Sequence, residues 1–210
     1  PIKVSGGTRD MRTIFYTALY HTMIDPRVFT DVTGEYIGGD KQVHKTDDFI
    51  KRTVFSGWDV FRSQFPLQTI INPEVVNDMI CSFISLAEEN GTKYYDRWEF
   101  LNAYSGCMVG NPAISVIADA YRKGIRNYDV KKAYAVNTAE KMGNDKKLGY
   151  VPGRVSESLE YAYSDWCLSV LAEDLGCKEA AAEYFERSRS YSKVFDEEQG
   201  WFRPRNANGT

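Results

Sequence analysis

Trp58, Asp59 and Arg62 fall within five positions of one another and bring together a flat indole, a carboxylate and a planar fork of donors. Residues three and four apart are neighbours on a helix, so one helical turn can aim these groups at a common hollow. The combination suits a pyranose. The indole covers apolar C–H faces, the carboxylate accepts from hydroxyls, and the guanidinium donates to oxygens. A buried tryptophan beside an Asp–Arg helix pair would use the same residues structurally, and the local stretch does not separate the two. A second tryptophan–carboxylate pair, Trp98 and Glu99, lies in the aromatic run from Tyr94 to Phe100. Taken by themselves, Asp59 and Glu99 are a candidate acid and base. His44 is a candidate ligand contact or an ordinary surface histidine.

The elements that must hold these residues are mostly helical. A first helix is expected from about Arg9 to Thr22, with Ile14, Phe15, Ala18 and Leu19 on its apolar face and Asp25-Pro26 forbidding continuation. Val28 to Lys51 carries β-formers between Thr33-Gly34 and Gly38-Gly39, which predicts a hairpin-like excursion bearing His44 at a cleft rim. A short helix from about Gly57 to Phe65 should end before Pro66. The next, capped by Asn72 with Pro73 in the first turn, runs to Asn90-Gly91. Tyr94 to Gly110 reads as irregular.

Asn111-Pro112 opens a helix closing at Lys123-Gly124. Its middle is apolar on nearly all sides, which predicts an interior, paired Asp119. Asp129 caps an outer helix reaching Ala139 and ending at Gly143-Asn144-Asp145. Ser156 caps a long helix with an inward stripe of Leu159, Ala162, Tyr163, Trp166, Val170 and Leu171, and Gly176 ends it. Lys178 to Val194 forms its partner, with Ala181, Ala182, Phe185, Ser188 and Tyr191 inward. Buried helices alternate with wetter ones, and long aromatic loops fall between them. The expected fold is all-α, an incomplete (α/α)6 toroid of helical hairpins with about seven helices and a small β-hairpin-like excursion near residues 28–51.

Composition narrows the partners. The 210 residues suit one domain or a piece of one, and 26 Lys+Arg against 29 Asp+Glu give a net charge of -3 with no basic stripe, so nucleic acid is not expected. Cys81, Cys107, Cys167 and Cys177 lack CxxC spacing, sit in or next to apolar segments, and read as buried free thiols rather than zinc or redox ligands. No apolar run reaches the ~18 residues of a membrane span. The chain opens on Pro1 and runs out after a turn at Thr210, so both ends are expected to be cut.

Several long blocks, in order, resemble the exo-acting α-mannosidases of glycoside hydrolase family ninety-two. They are Phe15-Tyr16-Thr17-Ala18-Leu19-Tyr20, Thr53 through Arg62, Gly110 through Gly124, and Leu159-Glu160-Tyr161-Ala162-Tyr163-Ser164-Asp165-Trp166. The resemblance implies a calcium-dependent, inverting hydrolase that releases terminal mannose, often α-1,2-linked, from mannose-containing glycans. It also implies bacterial export to the periplasm, cell surface or medium, and a toroidal catalytic domain preceded by a β-sandwich. Inversion needs an acid and a base carboxyl ~6.5–9.5 Å apart.

In similar enzymes the acid lies in a Glu-Gly-Asn-Ala-Trp-like motif and the base in a Gly-Asn-Asp-Asp-like motif. Neither motif is present here, so no catalytic residue is expected in this chain. Both are expected downstream, in the remainder of the same polypeptide. The resemblance moves Trp58, Asp59 and Arg62 to sugar binding, with Trp98 and Glu99 as a second pair on the cleft, and it places no calcium ligand on any residue. The competing expectations are another (α/α)-toroid glycosidase with a different sugar preference, and a non-catalytic helical sugar-binding scaffold.

Overall fold

The structure is a computed structural model that describes residues 2–136 and 142–210. In chain order its elements are α1 (Arg9–His21), β1 (Arg27–Val28), β2 (Glu35–Ile37), β3 (Val43–Lys45), β4 (Arg52–Thr53), β5 (Phe55–Ser56), α2 (Gly57–Val60), α3 (Gln64–Ile71) and α4 (Pro73–Glu89). They continue as β6 (Trp98–Phe100), β7 (Ala103–Tyr104), α5 (Pro112–Arg122), α6 (Val130–Val136), α7 (Val155–Asp174), α8 (Lys178–Ser188), a 3₁₀ turn (Arg189–Val194), β8 (Phe195–Asp196) and β9 (Trp201–Phe202).

Helical hairpins carry the fold, as expected of part of a toroid. α5 and α7 run parallel, since Ser164 Oγ donates to the Asn111 carbonyl (3.4 Å), Cys167 Sγ lies 3.5 Å from Ser115 Oγ, and Arg122 reaches Asp174 at 2.9 Å. The α2–α3 segment also runs parallel to α5: Gly57 packs against Pro112 at one end, and Lys123 Nζ donates to Thr69 Oγ1 (2.9 Å) at the other. Three inner helices therefore begin at one end of the molecule. α4 and α8 return antiparallel between or outside them.

α5 is the centre of the core, with Ala113, Ile114, Val116, Ile117, Ala118 and Ala120 buried against Val76, Met79, Ile80 and Phe83 of α4 and Leu168 and Leu171 of α7. Each large aliphatic side chain so buried contributes about 1.5–3 kcal/mol. Ile117→Asn would put an amide among them without a partner.

Proline chemistry explains where prediction and structure part at the first inner helix. The expected single helix from Gly57 to Phe65 is two, α2 and α3, and Pro66 lies inside α3 rather than beyond its end. Pro66 occupies the first turn, where backbone N–H groups have no intrahelical acceptor; the first such bond is Leu67 N–H to Ser63 O, 3.0 Å. α4 and α5 begin at their prolines as predicted, although neither Asn72 nor Asn111 makes a side-chain cap bond. Ser156 is not the cap of α7, which starts one residue earlier after Arg154. The expected extension of α6 to Ala139 falls outside the described residues.

Two helix faces are rotated from expectation. On α7 Ala162 and Leu171 are buried, but Tyr163 and Trp166 are 42% and 46% exposed, and Tyr161, Asp165, Cys167 and Leu168 face inward instead. On α8 Tyr184 and Ser188 are inward while Phe185 stays exposed, as does Tyr191 in the following turn. α1 forms where predicted, but none of its residues is buried. Asp119 is not interior: its side chain is 38% exposed and pairs with Lys123 Nζ at 2.7 Å.

The β excursion is present as β2 paired with β3, closed by β1 against β4. The Tyr94–Gly110 stretch, expected to be irregular, contains the β6–β7 hairpin, and β6 also pairs with β5. No helix among the described residues is long and apolar enough to cross a membrane.

Candidate functional site

The site begins at the corner between β5 and α2. Ser56 pairs with Trp98 and Phe55 with Glu99 in an antiparallel register, and Gly57 N–H donates to the Arg97 carbonyl at 3.1 Å. Only glycine fits at this corner: an added Cβ at Gly57 would lie 2.5 Å from both Phe55 Cε1 and Pro112 Cγ, and closer still to the Arg97 oxygen. The sequence stretches around Trp58 and Trp98, forty residues apart, are thereby brought to one end of the inner helices.

In the first turn of α2, Trp58 Nε1 donates to Glu160 Oε1 of α7 at 3.0 Å. Arg62 donates to the same oxygen at 2.5 Å, while its Nε–H returns to the Trp58 carbonyl at 2.9 Å. The guanidinium also sits over the Trp58 ring, 5.3 Å from its centroid. Glu160 makes no bond through Oε2 within the described residues. Gly110 lets the loop before α5 close over this carboxylate, its φ of +86° and its Cβ position 3.0 Å from Glu160 Cβ both excluding a side chain. Asp59 is exposed, with Oδ2 held by Ser56 Oγ at 2.5 Å and Oδ1 open. The result is a half-buried indole, a guanidinium and two carboxylates with one free acceptor oxygen each.

The second predicted pair divides. Side chains alternate across a strand, so Trp98 shares the sheet face of Ser56, next to Asp59, and is half-buried. Glu99 points the other way and is 2% exposed. Its Oε1 accepts from Thr53 Oγ1 (2.5 Å) and from Asn102 N–H, and its Oε2 accepts from Val54 N–H (2.9 Å). Burial pushes this carboxyl up, opposed by the three bonds and by Lys51. His44 lies on the β2–β3 hairpin, stacked on Tyr36 and bonded through Nε2 to Asp40 at 2.9 Å. That hairpin joins the same end of the molecule through Asn102 Nδ2–H donating to Ile37 O, 2.8 Å.

Sequence reasoning missed the carboxylates of α7. Glu157 and Glu160, three apart, face the site together. Glu157 accepts from Tyr161 OH (3.2 Å) and pairs with Arg154 (2.8 Å) and Arg97 (3.4 Å), and Arg97 in turn donates to Tyr104 OH at 2.7 Å. The available signal was their i,i+3 spacing in the first turns of a helix that opens at the end where Trp58 lies. Beside this cluster is a hollow of about 330 Å³ between α2, α3, α5 and α7, walled by Phe61, Arg62, Asp119, Arg122, Tyr163 and Trp166. Phe61, Tyr163 and Trp166 form a continuous ring stack with centroids 5.6 and 5.9 Å apart. Among the described residues, no group of three or more His, Cys, Asp or Glu side chains is arranged to hold a metal ion.

Paired helices that bring a tryptophan, an arginine and carboxylates together at one end form part of a helical toroid. The chain belongs to the glycosyl hydrolase family 92 catalytic domain, whose model matches residues 1–210. The family GH92 α-mannosidase BT3965 from Bacteroides thetaiotaomicron is 32% identical, with a TM-score of 0.93 over 99% of this chain and 30% of that one. The family GH92 inverting mannosidase BT2199 of the same species is 31% identical, with a TM-score of 0.90 over 99% of this chain and 31% of that one. An uncharacterized secreted glycosidase of Arthroderma benhamiae is 32% identical over 141 residues, covering 48% of this chain and 18% of that protein. The chain thus spans less than a third of the length of these relatives.

Proposed function

We propose that the protein containing this chain is an α-mannosidase that hydrolyses terminal mannose, α-1,2-linked, from glycans with inversion. In this reading Trp58, Asp59 and Arg62, with Glu160, hold the terminal sugar. The observation that carries it is the convergence of Trp58 and Arg62 on one Glu160 oxygen. The indole offers a face for sugar C–H groups. Asp59 Oδ1 and Glu160 Oε2 are free acceptors for hydroxyls, and Arg62 fixes the orientation of both Trp58 and Glu160. Trp98, paired with Ser56 on the neighbouring strand, is the second indole at this end of the molecule.

The acid and base are supplied by the remainder of the polypeptide, and the chain is one part of a single toroidal domain preceded by a β-sandwich. The exposed rings of Tyr163 and Trp166, and the unburied α1, are the faces that the rest of the toroid would cover. Calcium belongs to the reading through the family. Among the described residues no cluster of acidic or imidazole ligands is arranged to hold it. Export to the periplasm or beyond is part of the same proposal, in line with the secreted relative.

The test is the full-length protein on a panel of aryl α- and β-glycosides, with the anomer released followed by proton NMR. Aryl α-mannoside should be cleaved to β-mannose, and Trp58→Phe and Asp59→Ala should each lower kcat/KM by ten- to a hundredfold, or about 1.4–2.7 kcal/mol of transition-state stabilisation. Preference for another glycoside would favour the toroid glycosidase of different specificity. Absence of any hydrolysis together with mannose binding would favour the non-catalytic scaffold.

A further inference from the structure

We infer that Glu99 is a positioning residue, a buried carboxylate that holds the backbone before Trp58 in the conformation from which the indole reaches Glu160. The inference rests on the sugar-holding role of Trp58 proposed above and assigns Glu99 a different task from the direct sugar contact its neighbour Trp98 suggested.

Val54 has a φ of +71°. For a β-branched residue this left-handed conformation is an outlier that persists only where the surroundings impose it. What imposes it is visible. Glu99 Oε2 takes the Val54 N–H at 2.9 Å, and Oε1 takes the Thr53 hydroxyl at 2.5 Å, so the carboxylate grips both sides of the strained peptide. The same group binds the Asn102 N–H, closing a turn in which Leu101 and Asn102 also have positive φ, 53° and 58°. One buried side chain therefore ties the strand leading into Trp58 to the hairpin carrying Trp98. Lys51, fully buried three residues upstream, lies close enough to favour the charged form of this carboxylate.

The chain kink matters because β4 and β5 are separated by Val54 alone. β4 pairs with β1, whereas β5 pairs with β6. The left-handed residue switches the chain from one sheet to the other, and α2 follows directly. Without the grip, an extended Val54 would continue β4 and carry Trp58 away from Glu160. Glu99 is too buried to touch a sugar itself, so its effect on binding runs through Trp58.

The test uses the full-length protein labelled with ¹⁵N-tryptophan, the Trp58 indole signal being identified by its loss in Trp58→Phe. Glu99→Gln keeps the shape but presents an amide N–H₂ to one of the backbone N–H donors. It should move the Trp58 indole signal and lower kcat/KM for an aryl α-mannoside at least tenfold. Adding Val54→Gly, which makes positive φ easy, should return the signal and bring kcat/KM to within about threefold of wild type. An unmoved Trp58 signal in Glu99→Gln overturns the inference, whether or not activity falls, since a direct sugar ligand would lower activity without moving the indole. If Glu99→Gln does not fold, Thr53→Val, which removes one of the three bonds, takes its place under the same criteria. If the wild-type protein cleaves no mannoside, the proposed function fails, and the indole signal alone decides the role of Glu99.

Discussion

Replacing Gly57 with alanine tests whether the β5–α2 corner is as tightly closed as its geometry requires. The new methyl carbon would sit 2.5 Å from Phe55 Cε1 and from Pro112 Cγ, and nearer still to the Arg97 carbonyl. None of these is the free end of a flexible chain: Phe55 is fully buried, Pro112 is a ring in the first turn of α5, and the carbonyl belongs to the backbone. Overpacking against such neighbours costs about 1–3 kcal/mol. Opening the corner instead loses the Gly57 N–H bond to Arg97, about 1 kcal/mol. Alanine's better helix propensity offsets at most about 1 kcal/mol of this. A net loss of about 2–3 kcal/mol is expected, read from urea unfolding of the full-length protein by tryptophan fluorescence, with a parallel fall in kcat/KM because Trp58 is displaced from Glu160. A stability change under about 0.5 kcal/mol, typical of an unconstrained surface site, would refute the claimed closeness of strand, loop and α5.

Other outcomes follow from buried polar groups. Lys51→Met removes an ammonium that donates to Ser82 O (3.2 Å) and Ser85 Oγ (2.6 Å) and lies 3.4 Å from Glu89. It leaves Glu89 buried with only the Tyr36 hydroxyl and Gly39 N–H, so denaturant unfolding should show a loss of about 3–5 kcal/mol. Asp96 has Oδ2 buried without a partner among the described residues, and burial, then the Glu99 charge, pushes its carboxyl from 3.8 up to about 6. A folded-state pKa above the unfolded one contributes stability present below pH 3.8 and lost as pH rises through about 6. Asp96→Asn should therefore stabilise by about 1–2 kcal/mol near neutrality and be neutral at about pH 4, measured as unfolding midpoints across that range. Burial also pushes the Cys81 and Cys167 thiols up to about 11. Mass-mapped alkylation at pH 8 should leave both unmodified in the native protein, and rapid labelling of either would contradict their packing.

The helices were legible because their punctuation is local. Pro73 and Pro112 mark starts that depend only on a missing donor, and Asn90-Gly91 and Lys123-Gly124 mark stops. Helix faces were less legible. α7 carries apolar residues on most of its circumference, so pattern alone placed Tyr163 and Trp166 inside, whereas polar packing decided the rotation: Asp165 turns inward to meet Arg187 at 2.9 Å. The contact of Trp58 with Arg62 was readable because the two lie four residues apart, whereas Asp59 turns to Ser56. Glu160 was not, since its relation to Trp58 spans 102 residues and no local spacing encodes it. Glu99 misled for a related reason: a carboxylate next to a tryptophan in sequence lies on the opposite face of a strand from it.

The candidate site depends on carboxylates to a degree that the core does not. Four chain segments meet there, 53–62, 97–104, 108–111 and 154–161, and the side-chain bonds that tie the first two to each other and to the last end on Glu99, Glu157 and Glu160. Apolar packing under the site is non-directional, so shortening Ile114 would lower stability by about 2–5 kcal/mol while leaving the polar geometry to re-form around it. A carboxylate, by contrast, fixes both the distance and the direction of each donor it accepts, and a donor left behind in a buried place is costly. Substitutions at Glu160, which is only partly buried, should consequently change the shape of the site more than the stability of the fold, those at the buried Glu99 should change both, and those in α4 and α5 should act mainly on stability. That opposition follows from where the bonds terminate: the helices supply the scaffold, but the position of Trp58 is set by Glu99 from below and Glu160 from across the cleft.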